Sequence, residues 1–574
     1  MNVIVAVKLY IEKMATEAGS GLKILLMDKE TTSIVSMAFS QSDMLQKEVF
    51  LFERIDSGRS NEKIKYLKCI CFLRPTKQNV ALLSQELRNP KYGSYFIYFS
   101  NIIPRTDIKT LAQCDESESV REVKEIYADY LCVTKNMFSL NIPNCLSRLE
   151  WHPEALKRSV EGLTAILLSM KLNPIIRYRG GSYNAKELAR QVNEQICKES
   201  SLFDFRTYEN GAAPPLLIIL DRKDDPVTPL LHQWTYQAMV HELLNINNNR
   251  VDLSQVPGIP KELKEVVLSG EQDEFYAQNM YSNFGEIGSK IKLKMEEFQQ
   301  KAKDQRKVES IADMKTFVET YPQFKKMSGT VNKHVCVISE LSNLTTKRRL
   351  FDVSELEQEI ACKADHSAQL QRIKNIISDE TISISDSIKL VALYALRYER
   401  HANCDTSGLL SIIHKRQGST NIIPSLIEYS GQHARQGEIF NPIRISDAVK
   451  LTRKLIKGLK GVENVFTQHT CLLKETLEEV FKGRDLDPMY PTISSEVVPF
   501  RRPPKEVIVF IVGGATYEEA LAVHQMNEAG FKVILGGTTI HNSDSFIREV
   551  LFATQGVQFK HTKTLAKFHS IENF

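Results

Sequence analysis

Two short apolar runs near the end of the chain, residues 507–512 (VIVFIV) and 531–535 (FKVIL), each lead directly into a glycine pair, Gly513-Gly514 and Gly536-Gly537. Runs of this length without alternation suit strands buried on both faces of a parallel sheet. Two such strands cannot form a domain by themselves, since a sheet on its own needs about three strands or more. Ahead of them lies a break at 483–504 that carries Pro488, Pro491, Pro499, Pro503 and Pro504. Before the break, from 241 to 475, buried-strand runs are few and long amphipathic segments are many. The simplest solution is that the late strands rejoin a sheet begun by residues 129–240, where 175–178 and 216–220 are strand-like and 162–170 is helical. The second domain is then discontinuous, 129–240 plus 476–574, and 241–475 is an insert.

The start of the chain is a separate α/β unit. Apolar runs at 22–27, 67–73 and 95–99 end at Asp28, at Arg74-Pro75-Thr76 and at Ser100-Asn101. Residues 76–87 have helical spacing and serve as a crossover, and the unit ends near 128. The expected class is α/β, with two Rossmann-like parallel-sheet domains and a large, mainly helical insert. Within the insert, Ile287, Ile291, Met295, Phe298 and Ala302 follow steps of four, four, three and four, one face of a helix. Further helices are expected over 387–401, 446–459 and 471–481, the second opened by the cap Ser446-Asp447. A hairpin is expected near 310–342, with Pro322 between two helically spaced apolar sets. Pro322 has two readings: it starts a second helix, where proline is tolerated, or it is a hinge between a folded-back hairpin and one extended helix. No repeat of solenoid period is present.

Composition excludes several classes. Of the 574 residues, 42% are apolar and 25% charged, values of an ordinary globular protein. The net charge, 74 minus 70 or +4, is too near balance to point to a nucleic-acid partner. The ten cysteines form no framework. The close pair Cys69 and Cys71 is read as strand residues facing opposite sides and not as a metal clip. Reduced thiols and a cytosolic setting follow. No run approaches the roughly 18 apolar residues that span a bilayer. The run Val3 to Val7 is too short for a signal peptide and is soon followed by Lys8, Glu12 and Lys13. The C-terminal residues do not resemble a tail anchor.

Two places could carry chemistry. In LLIILDRKDDP (216–226), charges stand just beyond a buried strand, where ligands of open α/β sheets gather. Asp221 and Asp224 could hold a metal, or Asp221 could act as a base. Without a histidine or third ligand at suitable spacing, structural ion pairing of Asp221 and Arg222 where domains meet is the favoured reading. In GGATYEE (513–519), a strand, a glycine turn and a helix start resemble a phosphate loop. The turn lacks G-x-G-x-x-G and Gly-Lys-Ser/Thr. Thr516 with Glu519 three residues on is a capping box, and Gly513 and Gly514 let the helix approach the sheet. Gly536-Gly537-Thr538-Thr539 is read as a similar turn. Protease, hydrolase, Walker and kinase motifs are missing, the thirteen histidines do not cluster, and His232 and His241 are read as packing or surface residues. No cofactor is expected.

Several of these segments together resemble the SM (Sec/Munc-type) family of SNARE regulators. They are 216–229 (LLIILDRKDDPVTP), 231–240 (LHQWTYQAMV), 511–519 (IVGGATYEE), 535–540 (LGGTTI) and 458–466 (GLKGVENVF). The stretches 27–36 (MDKETTSIVS), 72–76, 273–281 (DEFYAQNMY) and 321–330 (YPQFKKMSGT) are similar to the branch that serves trans-Golgi and endosomal traffic. The resemblance covers essentially the whole chain. It implies a three-domain arch whose first domain and helical insert face each other across a cleft for a syntaxin-type SNARE. Asp28 and Glu53 would line that cleft. A pocket for a short N-terminal syntaxin peptide would fall on Ile108, Leu111, Val123 and Glu125. The hairpin around Pro322 and Val335 would be the platform for a vesicle SNARE. The implied partners are a trans-Golgi or endosomal syntaxin-type SNARE, a vesicle SNARE, the assembled bundle and an endosomal Rab effector. The implied setting is cytosolic, peripheral to Golgi and endosomal membranes. Unpaired SNARE segments are disordered, and ordering one costs conformational entropy. A rigid groove that holds it in near-assembly geometry supplies that order in advance. Two rivals stand beside this reading: an α/β enzyme with a nucleotide or sugar at Asp221 and Gly513, and a passive scaffold.

Overall fold

The computed structural model describes residues 2–57, 63–205, 213–305, 311–437, 439–440, 466–484, 486–487, 489–493 and 503–556, with backbone alone over 301–305, 311–324 and 326. The chain opens with α1 (Val3–Glu17), whose Ile4 and Val5 N–H groups are capped by the Asn2 side chain. There follow β1 (Lys23–Met27), α2 (Lys29–Ala38), α3 (Gln41–Gln46), β2 (Val49–Arg54), β3 (Ile64–Leu73), α4 (Lys77–Arg88), β4 (Tyr92–Phe99), α5 (Arg105–Cys114) and β5 (Val120–Glu125). The five strands form an all-parallel sheet in the order β2-β1-β3-β4-β5. β1 reads KILLM and is buried throughout, because both of its faces are covered. Leu25, Met27, Ile70 and Phe72 pack under α1 and α2, while Ile24, Leu26, Cys69 and Cys71 pack under α4 and α5.

This corrects the reading of the cysteine pair. A strand has a period of two, so residues two apart share a face. Cys69 and Cys71 point to the same side, with Sγ atoms 3.6 Å apart in the core. No group of side chains among the described residues could hold a metal ion.

A second sheet takes strands from both sides of the insert. Its spatial order is Ile175–Tyr178, Leu216–Asp221, Glu506–Val512, Lys532–Gly537, Met137–Ser139 and Leu131–Thr134. Each neighbouring pair is parallel except the last, which is antiparallel. α6 (Pro153–Met170) and α7 (Tyr183–Lys198) bury Leu217, Ile219, Ile508 and Phe510 on one face. The helices Leu472–Phe481 and Tyr517–Glu528 bury Leu216, Ile218, Val507 and Val509 on the other. Gly536 and Gly537 are the last residues of a strand, not a turn. A Cβ on Gly536 would fall 2.1 Å from the Phe138 ring, so glycine here serves close approach.

The insert contributes α8 (Tyr236–Leu243), a two-stranded ribbon (Arg250–Asp252 with Glu265–Val267), α9 (Glu274–Asn279), α10 (Phe284–Gln305) and α11 (Ile311–Lys347). It continues with α12 (Leu350–Cys362), α13 (His366–Ser378), α14 (Ile384–Tyr398), α15 (Thr406–Lys415) and α16 (Ile422–Ser430). The expected boundaries at 241 and 476 each cut a helix. Tyr236, Met239, Val240 and Leu243 of α8 pack with Ile287, Ile291, Val337 and Leu341, in the core of the insert. Leu473 and Leu477 pack on the second sheet. The antiparallel ribbon was not announced by the apolar pattern, because its strands are three residues long.

The hairpin also differs from expectation. The described part of 310–342 does not fold back on itself; Ile311–Lys347 form one helix that continues over Pro322. α11 packs mainly against α10, with α8 and α12 also touching it, so the hairpin is the α10–α11 pair. Proline lacks one N–H, and the ladder continues on either side of it. Of the apolar stripe on α10, Ile287 and Ile291 are buried in the core, Met295 is exposed and Phe298 is partly buried. The expected helix over 446–459 and its Ser446-Asp447 cap lie outside the described residues.

Candidate functional site

The order β2-β1-β3-β4-β5 places a topological switch point between β1 and β3, where open α/β sheets bind ligands. Asp28 follows β1 at this point. It is only 3% exposed. Its carboxylate caps α2 by accepting the Thr31 N–H (2.8 Å). It also accepts the Arg74 backbone N–H and the Asn79 Nδ2, both at 2.7 Å. Burial raises the pKa of the carboxyl against these donors, which pull it down. The crevice is therefore closed by the chain's own groups, and Asp28 offers no surface carboxylate. Glu53, on the edge strand β2, is partly exposed and holds Lys91 (3.0 Å) and Tyr92 Oη (2.9 Å).

Arg74 continues from this crevice to the second domain. Its guanidinium pairs with Asp129 (3.0 Å) and with Glu161 on α6 (2.9 Å). Asp129 also takes Arg158 (3.1 Å) and Asn101 Nδ2 (3.0 Å). Burial alone would raise the Asp129 pKa, but Arg158 and Arg74 outweigh it and hold the carboxyl below its ordinary range.

The second sheet has a corresponding crevice at its carboxyl ends, and it too is filled. Arg222 donates to both Glu519 oxygens and, through Nε and Nη2, to the Gly514 carbonyl at 3.0 and 2.9 Å. Burial disfavours the Arg222 charge; Glu519 and Asp225 overcome it and keep the guanidinium protonated. Glu519 meanwhile completes the capping box with Thr516, accepting its N–H at 2.8 Å. Gly513 and Gly514 have φ of +84° and +92°, the left-handed region that favours glycine. Asp221 is not ion-paired, contrary to expectation; it accepts the Ser182 hydroxyl and the Lys223 N–H. Asp224 instead pairs with Arg179 (3.1 Å), which also reaches Tyr490 Oη and the Gln436 carbonyl. Asp225 holds Thr228 and the Leu472 N–H. Leu472, Leu473 and Tyr490 thus plug the crevice and leave about 20 Å³, room for one water.

The α5/β5 edge is different in kind. The register Ile97↔Val123 and Phe99↔Glu125 puts Val123 and Glu125 on the sheet face that α5 covers. Ile108 and Val123 are 36% and 38% exposed. Leu111 is 3% exposed and belongs to the core, so it supports this surface instead of forming it. Glu125 is committed to the Ile103 N–H (2.8 Å) and to Tyr127 Oη (3.3 Å). Solvated apolar side chains beside a sheet edge suit an extended peptide.

The root of the hairpin carries groups that sequence reasoning missed. Val335 is half-buried against the insert core. One residue earlier, His334 is fully buried between Asp273 (Nε2 to Oδ2, 2.9 Å) and Tyr236 Oη (Nδ1, 2.7 Å). Lys333 pairs with the same Asp273 carboxylate. A second buried network joins the insert to the second domain: His232 to Glu357 (2.8 Å), Lys389 to Glu242 (3.1 Å) and to Asp386 (3.3 Å), and Arg348 to Asp386 (2.6 Å). His232 and His241 are both buried and not at the surface; His232 is a member of this network, and His241 Nδ1 accepts the Ile246 N–H at 3.1 Å. These partners lie many residues apart, so no local signal could have revealed them.

Comparison with known proteins follows the same lines. The profile of the Sec1 family matches residues 23–549. Vacuolar protein sorting-associated protein 45 of Mus musculus is 56% identical over 557 residues, covering 96% of each chain. The protein of the same name from Dictyostelium discoideum is 41% identical, again over 96% of each. A solved structure of the SM protein Vps45 in complex with the Qa SNARE Tlg2 (1-310) superposes with a TM-score of 0.88 at 43% identity, covering 97% of this chain and 99% of that one. The Unc18–syntaxin 1 complex from Monosiga brevicollis, at 20% identity and a TM-score of 0.79, shares the fold.

Proposed function

The chain belongs to the Sec1 family, and from this we propose that it binds a syntaxin-type SNARE of the trans-Golgi or endosome and promotes assembly of that SNARE with a vesicle SNARE. The observation that carries the proposal is whole-chain likeness to a relative solved with a Qa SNARE, at 43% identity over 97% of this chain. The proposal takes a three-domain frame, 1–128, 129–240 with 476–574, and 241–475, with the two insert boundaries moved to the starts of α8 and of the helix Leu472–Phe481, which they would otherwise cut. Both strand-end crevices are filled by the chain itself, which supports a protein-binding role over the nucleotide or sugar enzyme. No described helix is long and apolar enough to cross a membrane, so attachment to Golgi and endosomal membranes would run through partners such as the SNAREs and an endosomal Rab effector.

Within this reading Ile108 and Val123 touch the N-terminal syntaxin peptide, and Leu111 and Glu125 hold that surface in place. Glu53 faces the syntaxin cleft, and Asp28 acts behind it by fixing α2 and the end of β3. The helix α11, with Pro322 and Val335, receives the vesicle SNARE. Helix-in-groove binding uses anchors at i, i+3, i+4 and i+7, and a preformed groove reduces the ordering entropy that each SNARE must lose on assembly. The test is binding of the purified chain to the cytosolic part of such a syntaxin, with and without its first twenty or so residues, roughly the length a surface pocket can hold. Tight binding that weakens on truncation is expected. Absence of binding to every syntaxin-type SNARE tried would overturn the proposal. An assembly rate that the chain does not change would leave only the passive scaffold.

A further inference from the structure

The turn at 269–273, between the ribbon strand Glu265–Val267 and α9, is closed by backbone hydrogen bonds and held from two sides. Within it, the Gln272 and Asp273 N–H groups both donate to the Ser269 carbonyl, at 3.3 and 3.0 Å. Asp273 then caps α9 by accepting the Tyr276 N–H at 3.0 Å. On one side, Lys8 of α1 donates to Glu271 at 2.6 Å, across 263 residues of sequence. On the other, Lys333 and His334 of α11 both engage Asp273, and Lys333 also donates to the Val267 carbonyl at 2.9 Å. A second contact with the first domain lies in the turn just before the same ribbon: Asn248 Nδ2 donates to Ser33 Oγ of α2 at 3.3 Å.

We propose that this turn couples the first domain to the hairpin, with Glu271 and Asp273 as positioning residues that set how α11 is presented. The inference rests on the proposed SNARE-binding function only for its meaning, since the coupling itself is a property of the free chain. Glu271 and Asp273 are two residues apart in a turn closed by backbone bonds, so a shift of α1 that drags Glu271 must tilt Asp273. Asp273 cannot move without Lys333 and His334, because the imidazole is fully buried and bonded at both nitrogens. The weaker link is Lys8–Glu271, whose side chains are 29% and 30% exposed. A pair at that exposure carries about a 1.5- to 5-fold effect on an equilibrium. Any ligand that moves the first domain is thereby linked to a ligand of α11, and the linkage is reciprocal.

The experiment uses the full chain as wild type, Lys8→Glu, Glu271→Lys and the double reversal. Amide hydrogen exchange over the root of α11 is expected to quicken about 2- to 5-fold in each single variant and to return in the double, the range an exposed pair supports. In parallel, the affinity for a vesicle-SNARE helical segment is measured with and without saturating syntaxin-type SNARE. The ratio of the two affinities is expected to be about 2 to 5 in wild type, to fall toward one in the single variants and to recover in the double. Unchanged exchange in the single variants or no recovery of exchange in the double reversal would each overturn the coupling, and a ratio of one in wild type would overturn its link to SNARE binding. A vesicle-SNARE segment that fails to bind at all would count against the proposed function, while the exchange result would still decide the coupling.

Discussion

Removing Glu519 should destabilise the fold through Arg222, and a second substitution should reverse much of the loss. The two side chains are 1% and 2% exposed, and Arg222 Nη2 donates to both Glu519 oxygens. Glu519→Ala leaves the guanidinium buried with only the Gly514 and Asp225 carbonyls as acceptors. Breaking a buried pair by deleting one partner costs about 3–5 kcal/mol. The same change orphans the Thr516 N–H of the capping box, adding about 1 kcal/mol. Against a total stability of about 5–15 kcal/mol this is a large fraction. Glu519→Gln keeps an acceptor for Thr516 and isolates the charge term, about 1.5–3 kcal/mol for a hydrogen bond to a charged group. Adding Arg222→Met in the Glu519→Ala background removes the unpaired charge and should recover stability, although Arg222→Met alone is destabilising. Urea denaturation followed by circular dichroism, with a constant m-value as the check on two-state behaviour, measures all of these. A loss below about 1 kcal/mol for Glu519→Ala would refute the argument that Arg222 depends on Glu519. So would a double variant less stable than Glu519→Ala.

Three further outcomes are expected. Burial, and for His541 the nearby Arg222 cation, lowers the imidazole pKa to about 3 for His541 and, by burial, to about 4 for His241. Both are neutral when folded, so their contribution is full above pH about 6.5 and is lost as the pH falls toward those values. From pH 6.5 to 5 each should cost about 2 kcal/mol, seen as a lower urea midpoint; an unchanged midpoint would sink the burial argument, and His541→Gln should flatten the profile. Gly514→Ala combines a φ of +92° with a Cβ 2.4 Å from the His541 ring. It should cost about 2–5 kcal/mol in thermal denaturation, and a change under about 0.5 kcal/mol would contradict the close approach. At the α5/β5 edge, Ile108→Glu and Val123→Glu should leave stability within about 0.5 kcal/mol and weaken syntaxin-peptide binding by calorimetry, whereas Leu111→Ala should cost about 2–5 kcal/mol of stability; equal stability losses at all three positions would remove the distinction between surface and support.

The sequence alone determined the longest buried strands and the cap at Thr516, because each depends on residues close together. Unbroken apolar runs such as 507–512 identify strands covered on both faces, and two of them at the end of a chain require partners elsewhere. Thr516 and Glu519 stand three apart, so their capping box is legible by spacing. The tertiary structure decided what each charged group does. Asp28, expected to line a cleft, has its lone pairs consumed by Arg74 and Asn79, 46 and 51 residues away. Arg222 and Glu519 are 297 residues apart, and Lys8 and Glu271 are 263 apart. Periodicity records which face a side chain occupies, and for Leu111 that is the core. It does not record which distant donor meets it there, since that follows only when the insert and both sheets are packed. The plugging of the second crevice by Leu472, Leu473 and Tyr490 is of the same kind: the strand ends are local, and what covers them is not.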